Sequence, residues 1–362
     1  MKKKSLQSME GLLLPVFSII IALVIGALMY LAMGLDPIKA YGSLLIGAFG
    51  STNAIADTFV QVTPLIFTAL SYAIALRCGL INLGAEGQLY MGAILGSMVG
   101  AHVQGLPAFL HIILILIAGF VGGALWGLIV GLLKMRFGAS ELITTIMLNY
   151  IALQFVSFCV TNAPFKDMTP GAAPRMTSML DSAKLPKIIP RTNLHLGIIL
   201  AILGIIIYYV FMWQTTKGYE MRVIGLNSTA GRYSGMNLKT NALLSIFIAG
   251  GFAGLGGVIH VSGLTYFMAQ GMSNNFGFTG VAVALLGGCH PVGMVVSAIL
   301  FGALNSGGKT MQILAQVPDA TIMIIQGLII LFAAGGELIA KILPKKRDKS
   351  ATPKKDKKEV EA

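Results

Sequence analysis

The stretch Phe109-Leu-His-Ile-Ile-Leu-Ile-Leu-Ile-Ala-Gly-Phe-Val-Gly-Gly-Ala-Leu-Trp-Gly-Leu-Ile-Val-Gly-Leu-Leu133 contains no Asp, Glu, Lys or Arg. A helix needs about 20 mostly apolar residues to cross the hydrocarbon core of a bilayer. A helix that is apolar on all of its faces is buried, either in a large protein core or in a membrane. The composition of the rest of the chain decides between a protein core and a membrane as the surroundings of this helix.

The whole chain is unusually apolar: 56% of its 362 residues are hydrophobic and 11% are charged. A soluble domain carries about a quarter charged residues, and here the mean hydropathy is +0.81. The net charge of +12 lies in short clusters between apolar runs and in the tail, without the interleaved aromatic residues on which single-stranded nucleic acid stacks. This pattern is typical of an integral membrane protein whose basic residues set its orientation, and no nucleic-acid partner is predicted.

Ten apolar runs are found by the same criterion, which predicts an all-α, polytopic transmembrane helical bundle of about ten segments. Two runs are too short for a full crossing, so broken or short helices are expected. We predict a membrane domain over residues 1–343 and a charged, disordered cytoplasmic tail over residues 344–362. The runs are Leu12–Met33, Phe59–Ala75, Leu83–Val103, Phe109–Leu133, Leu142–Val160, Leu196–Trp213, Ala242–Leu264, the short Thr279–Gly288 and Val292–Leu304, and Ile322–Ile342.

The Lys and Arg residues between the runs indicate the orientation. Most of them fall on the cytoplasmic side if both termini are placed there, in line with the positive-inside rule. The proline-rich segment 161–193 then lies outside. A connection of this length is often functional, but docking of an external partner and a passive loop are equally compatible with the sequence.

Polar residues inside apolar runs are the candidates for a solute path, because buried charge is costly in a bilayer. Asn82 and Glu86 are spaced i, i+4, and Gln88 follows closely. They line a path on one interpretation. On the other, Glu86 lies near the inner interface, where it pairs with Arg77 or favours a helix N-terminus.

A second polar stripe contains Asn149, with Tyr150 beside it; the alternative here is a hydrogen-bonding role between packed helices. A third set, Asn275, Phe276 and Thr279, precedes the two short runs and the break at residues 289–291. Broken helices with Gly and Pro are the best sequence indication of a transport site. His290 in that break is interpreted as a turn residue rather than a ligand.

The segment Gly302–Thr310 superficially matches a phosphate-binding Gly-Lys loop, but its spacing differs by one residue and it follows an apolar run instead of a strand. We therefore predict no ATP site and no cofactor in this chain. No metal-site spacing and no catalytic motif is present in the sequence, so it is not predicted to be an enzyme.

The longest internal cytoplasmic loop, about 214–241, resembles the coupling loop of permeases from the ribose and branched-chain amino acid importer class. The resemblance rests on seven residues and departs from the pattern at Val223 and Gly231. An amphipathic helix is expected over about 228–234. The matching residues are Thr216, Gly218, Arg222, Gly225, Asn227, Ala230 and Gly235.

Three further stretches resemble the nucleoside (purine) branch of that class: Gly79–Gln88, Ile146–Ile151 and Gly277–Gly287. The resemblance implies a type II-like ABC importer permease in a bacterial cell membrane. It implies a second permease subunit forming a heterodimer, ATP-binding subunits on the cytoplasmic side that use the ATP, an extracellular substrate-binding lipoprotein, and a nucleoside substrate. It also implies that Gly225, Asn227, Ala230, Arg232 and Gly235 couple the chain to the ATPase.

Three alternatives remain open at the level of the sequence. The same importer class also carries sugars and other small polar solutes. An ion-coupled secondary transporter is disfavoured by the scarcity of carboxylates within the apolar runs. A membrane scaffold without transport activity is disfavoured by the broken helices and polar stripes.

Overall fold

The computed structural model describes residues 18–170 and 173–342, which are almost entirely helical or in short connections, with only isolated β-bridges among them. The predicted all-α class is confirmed. Predictions about residues 1–17 and about the charged tail lie outside the described residues. The helices are α1 (Ser18–Ala32), α2 (Pro37–Phe49), α3 (Thr52–Arg77), α4 (Ala85–His102), α5 (Ala108–Phe137), α6 (Glu141–Thr161), α7 (Gly197–Gln214), α8 (Thr216–Leu226), α9 (Ser228–Tyr233), α10 (Leu238–His260), α11 (Phe276–Leu286), α12 (Pro291–Ala315) and α13 (Asp319–Ile342).

Six helices in the described part of the chain are long and apolar enough to cross a membrane: α3, α5, α6, α7, α10 with its π-helical extension to Thr265, and α12. The predicted count of about ten segments therefore stays a prediction. The short run Thr279–Gly288 falls mostly on a short helix, since α11 has 11 residues. The other belongs to the 25-residue α12, because the polar residues after Leu304 interrupt the apolar run without ending the helix. Helix α2 was not predicted from the sequence.

Helices α3 and α10 form the centre of the bundle. α3 is buried along most of its length and packs against α10, α11, α12 and α7. It contains Pro64, which has no backbone N–H to donate. The hydroxyl of Thr68 donates to the Pro64 carbonyl (3.0 Å) and lies 2.9 Å from the carbonyl of Phe276, so it links the central helix to the start of α11.

Glycines let α4, α5 and α10 approach to backbone contact. A Cβ added at Gly254 would overlap the backbone of Gly119 and Gly123, and one added at Gly92 would overlap that of Gly254. Small residues of this kind are typical of helix packing in membranes. Gly250 of α10 approaches Gly123 of α5 in the same way.

The connection from α6 to α7 is folded onto the segment between α10 and α11. The amide of Met176 donates to Met268 (2.8 Å), and that of Leu185 donates to Ser262 (2.9 Å). Asp167 forms an ion pair with Arg175 (2.8 Å), and hydrogen bonds from Thr169 and Arg175 lower the pKa of this carboxyl to about 2. This connection, predicted to lie outside, covers one end of the bundle.

Candidate functional site

The turn before α4 carries a closed set of hydrogen bonds between two amide side chains. Asn82 and Gln88 exchange bonds of 2.9 and 3.1 Å. Asn82 also donates to the hydroxyl of Ser71 (3.1 Å) and accepts from the amide of Gly84 (3.0 Å). Both amides are fully buried. This set stabilises the junction of α3 and α4, since buried polar groups need partners.

Asn149 of α6 reaches the same turn from the other side. Its side-chain oxygen accepts from the amide of Gly87 (2.8 Å), and its nitrogen donates to the carbonyl of Leu83 (2.8 Å). The first amides of a helix have no partner within it, and Gly84 at this helix start provides no side-chain cap. Asn149 therefore caps α4 from a neighbouring helix. Its neighbour Tyr150 is 63% exposed on the outer surface of α6.

Glu86 is almost completely buried at the start of two helices. It lies in the first turn of α4, and its Oε2 accepts a hydrogen bond from the amide of Gly277, in the first turn of α11, at 2.7 Å. A helix N-terminus favours negative charge. A Cβ on Gly277 would overlap the backbone of Glu86. Glu86 thus connects the first turn of its own helix to the start of the short α11, and no ion pair with Arg77 is present among the described residues.

The predicted α11 residues divide between the interior and a cleft. Phe276 is buried against the imidazole of His260, with the two rings 5.2 Å apart. Asn275, in the left-handed conformation (φ 56°), is exposed, and Thr279 is nearly buried. Both Asn275 and Thr279 line a cleft of about 350 Å³ between α11, α12 and α13.

This cleft, called here the polar cleft, is lined mainly by amide, hydroxyl and ammonium groups. On α12, Asn305, Lys309 and Gln312 follow one another at i, i+4 and i+7 and so lie on one face. Across the cleft, Gln326 of α13 donates to Asn305 (2.8 Å). Lys309 is exposed and has no ion-pair partner among the described residues. The lining residues are Ser273, Asn274, Asn275, Thr279, Asn305, Gly308, Lys309, Gln312, Ile322, Met323 and Gln326.

The α12 and α13 residues of the polar cleft were not predicted from the sequence. Lys309 was considered only as part of a false phosphate-binding loop, and it lies instead inside a helix. The i, i+4, i+7 spacing of Asn305, Lys309 and Gln312 is a signal that could have found this face.

The predicted coupling loop folds into α8 and α9, close to the expected helix at 228–234. Asn227 caps α9 by accepting from the amide of Ala230 (3.1 Å). Ala230 and Arg232 are exposed, whereas Gly225 lies so close to Arg77 that a Cβ would overlap its carbonyl. Gly235 has a positive φ of 80°, which favours glycine. The loop is thus exposed on α9 and in contact with the end of α3.

The fold and the site define a class: a multi-pass membrane protein with a broken helix, a polar cleft and an exposed helical loop at one end. The sequence model of the family described as "Branched-chain amino acid transport system / permease component" matches residues 54–334. The chain belongs to this family. The family name describes a transport component and not an enzyme.

Three relatives of known function are similar to this chain over most of their length. The guanosine ABC transporter permease protein NupP of Bacillus subtilis is 38% identical over 95% of this chain and 99% of the relative. The nucleoside ABC transporter permease protein NupB of Lactococcus lactis is 36% identical over 92% and 93%. The glucose ABC transporter permease protein TsgB13 of Haloferax volcanii is 32% identical over 89% and 87%. The comparison with solved structures finds no match.

Proposed function

We propose that this chain is a permease subunit of an ATP-driven nucleoside importer in a bacterial cell membrane. The observation that carries the proposal is similarity to NupP and NupB over almost the entire length of all three chains. The polar cleft supports it chemically. A nucleoside is neutral and offers ribose hydroxyls and base edges, which amide, hydroxyl and ammonium groups bind.

The solute path in this proposal is the polar cleft. Asn275 and Thr279 contribute from α11, and Asn305, Lys309 and Gln312 contribute from α12. Asn82, Gln88 and Asn149 are bonded at the turn before α4 and hold that helix in place, and Glu86 of the same helix fixes the start of α11, which forms one edge of the path. Phe276 packs behind that edge, and Tyr150 lies on the far side of α6.

A second permease subunit faces the cleft in this proposal. An exposed Lys309 within a membrane helix cannot lie against lipid without a large cost. Water and a partner subunit are the remaining surroundings, and an importer supplies both at the interface of its two permeases. Following the resemblance, we propose that the partner is a different chain, so that the pair is a heterodimer.

The ATP-binding subunits dock on α8 and α9 in this proposal, with both termini of the chain in the cytoplasm. Ala230 and Arg232 are exposed there for contact, while Gly225 packs against Arg77 at the end of α3. Motion of α9 is therefore passed to the bundle through backbone contact. An external binding lipoprotein delivers the solute at the opposite end, near the folded connection between α6 and α7.

The test is uptake of labelled guanosine by a bacterium that lacks the gene and any redundant nucleoside system. Wild type is expected to restore uptake, and Ala230→Glu is expected to fail at normal expression because it places a charge in the ATPase contact. Uptake that survives deletion would refute the nucleoside assignment. Uptake that depends on the proton gradient while ATP is maintained would refute the ATP-driven mechanism.

A sugar importer is the second candidate, and the similarity to TsgB13 favours it. Competition between unlabelled solutes and labelled guanosine distinguishes a nucleoside importer from a sugar importer. Excess unlabelled inosine is expected to block guanosine uptake, and excess glucose is expected to leave it unchanged. The opposite result would assign the chain to the sugar carriers with the same fold.

A further inference from the structure

Two arginines meet over one tryptophan where α3, α7 and α8 end. The guanidinium carbon of Arg77 lies 5.4 Å from the ring centre of Trp213, and that of Arg222 lies 5.8 Å from the same centre. Both arginines line a cleft of about 340 Å³, called here the arginine cleft. Such cation–π contacts hold guanidinium groups in place without neutralising them.

The positive charge of the arginine cleft is not balanced within the described chain. Arg77 donates through Nη2 to the carbonyl of Cys289 (3.1 Å). The Nε atoms of Arg77 and Arg222 are both buried, and neither has a hydrogen-bond partner among the described residues. No carboxylate there lies within ion-pair distance of either arginine. Partly buried guanidinium groups whose Nε donors are unused are suited to an oxyanion, above all phosphate.

An apolar groove of about 440 Å³ leads away from the arginine cleft between α3, α5, α7 and α10. Tyr208 connects the two, because its ring lines the groove while its hydroxyl donates to the Cys289 carbonyl in the cleft (2.9 Å). Ile74, one helical turn before Arg77, also lines the groove. Two of its lining residues on α7, Leu203 and Ile207, are about half exposed.

We infer that the arginine cleft and the apolar groove together bind an anionic phospholipid, with its phosphate on Arg77 and Arg222 and an acyl chain along α7. An anion alone would explain the arginines, but it would not explain an apolar groove that begins one helical turn away from them. The stacked pair Tyr209 and Trp213, 5.6 Å apart, lies at the same level, as aromatic residues do at a bilayer interface. Basic pockets between membrane helices on the cytoplasmic side are known to hold lipid headgroups.

The position of the lipid gives it a regulatory role. The cleft is also lined by Gly225 and Leu226 of the coupling loop and by Cys289 in the break before α12. A bound phosphate therefore ties the coupling loop to the broken helix. This inference rests on the proposed orientation, in which α8 lies at the cytoplasmic face, but lipid binding does not depend on which solute is carried.

The test uses the full-length chain purified with its co-expressed partner subunits and delipidated in detergent. Retained phosphatidylglycerol and phosphatidylcholine are measured by native mass spectrometry after adding either lipid. Wild type is expected to retain phosphatidylglycerol in preference. Arg222→Gln is expected to lower its affinity about fivefold, the effect of one basic residue at an anionic headgroup.

Two further variants test the arginine cleft and the apolar groove separately. Arg136→Gln is the matched control, because Arg136 also stacks on an aromatic ring, that of Phe137 (5.8 Å), but lies outside the cleft; it is expected to retain the lipid. Leu203→Trp fills the groove without touching either arginine and is expected to lose the lipid as Arg222→Gln does.

Several outcomes would overturn the inference. Equal retention of both lipids by wild type would do so, as would wild-type retention by Arg222→Gln. Protection against thermal unfolding by inorganic phosphate equal to that by phosphatidylglycerol would assign the cleft to a free anion. If Arg222→Gln kept the lipid but lost the ATP-binding subunits, the arginine would pair with a partner carboxylate. A failure of guanosine uptake with lipid binding intact would refute only the proposed solute.

Discussion

The turn before α4 and the polar cleft contain the same kinds of side chain, yet they differ in how those side chains are bonded. Asn82 and Gln88 bond to each other and are fully buried. Lys309 is exposed, and the side-chain nitrogen of Asn305 is buried without a partner in the described chain. A polar group that has its partners stabilises the fold, while one that lacks them is available for a ligand. Polarity alone therefore does not identify a solute path.

The largest expected effect comes from closing the space between α4 and α11. Gly277→Ala places a Cβ on the backbone of Glu86, which flexible side chains cannot relieve. We expect a loss of more than about 4 kcal/mol, a large part of the total stability of an ordinary protein, and therefore a lower yield of folded chain. The measurement is the yield of monodisperse protein after solubilisation.

The matched control is Gly42→Ala, a glycine inside α2 whose added Cβ would meet no atom within 4 Å. It is expected to express as wild type does. Normal yield and uptake by Gly277→Ala would show that α11 is not held against α4 as described.

The second prediction tests the hydrogen bonds of the turn before α4. Asn82→Leu removes the acceptor of the Gly84 amide and of the Gln88 side-chain nitrogen, and each buried donor left without a partner costs about 1–3 kcal/mol. We expect a total loss of about 3 kcal/mol, measured as a lower melting temperature in detergent. Uptake per folded molecule is expected to stay close to that of wild type.

The double variant Asn82→Leu, Gln88→Leu sharpens this test, since removing both partners costs less than orphaning one. It is expected to lose less than the sum of the single variants. Gln104→Leu, at an exposed position, is the control and is expected to change stability by less than about 0.5 kcal/mol. Additive losses would argue against a shared network.

His195 is only partly bonded, unlike the amide side chains of the turn before α4. Its Nδ1 accepts from the amide of Gly197 (3.1 Å), while its buried Nε2 has no partner in the described chain. Burial, with a smaller contribution from Lys187, lowers the pKa of His195 to about 4 from 6.5. The unfolded chain then binds more protons than the folded one between pH 4 and 6.5. Stability therefore falls as the pH drops through that window.

Between about pH 7 and about pH 5.5 we expect a loss of about 1 kcal/mol from this residue. The melting temperature of wild type, measured over that range, is expected to fall more steeply than that of His195→Gln. Parallel curves for the two proteins would mean that His195 is not buried in its neutral form.

Much of the fold follows from the sequence because lipid imposes a simple rule on length and polarity. An uncharged apolar run such as Phe109–Leu133 predicts a membrane-spanning helix without an alternative. The helix expected at 228–234 was predicted from the amphipathic pattern of the coupling loop. The rule fails where polar residues sit inside a spanning helix: the apolar run that ended at Leu304 continues as helix to Ala315. The length criterion also does not predict α2, because this helix has only 13 residues and is held by packing on α12.

The site was harder to predict than the fold. Asn82, Glu86 and Gln88 are buried, but whether such residues bond to the protein or to a solute depends on contacts made across the chain. Glu86 meets a residue 191 positions away. Spacing along one helix cannot supply such a contact, and so the sequence left both interpretations open.

The smallest effect on stability, and the sharpest distinction between the two polar regions, is expected from Lys309→Gln. The side chain is exposed, so the melting temperature is expected to stay within the range of a surface change of about 0.5 kcal/mol. If Lys309 donates to the solute, its loss removes a charged hydrogen bond worth about 1.5 kcal/mol, or about tenfold in affinity. The apparent KM for guanosine uptake is therefore expected to rise about tenfold.

Lys309→Arg, which keeps the charge and the donors, is expected to retain much of the wild-type affinity, and Lys239→Gln, at an exposed position away from the cleft, is expected to leave KM unchanged. A rise in KM without a fall in melting temperature is the reverse of the pattern expected for Asn82→Leu. If Lys309→Gln instead lowers the melting temperature and leaves KM unchanged, Lys309 stabilises a helix contact and the polar cleft is not the path. The pair of variants thus separates a bonded from an available polar group by two measured quantities: Asn82→Leu is expected to lower only the melting temperature, and Lys309→Gln is expected to raise only KM.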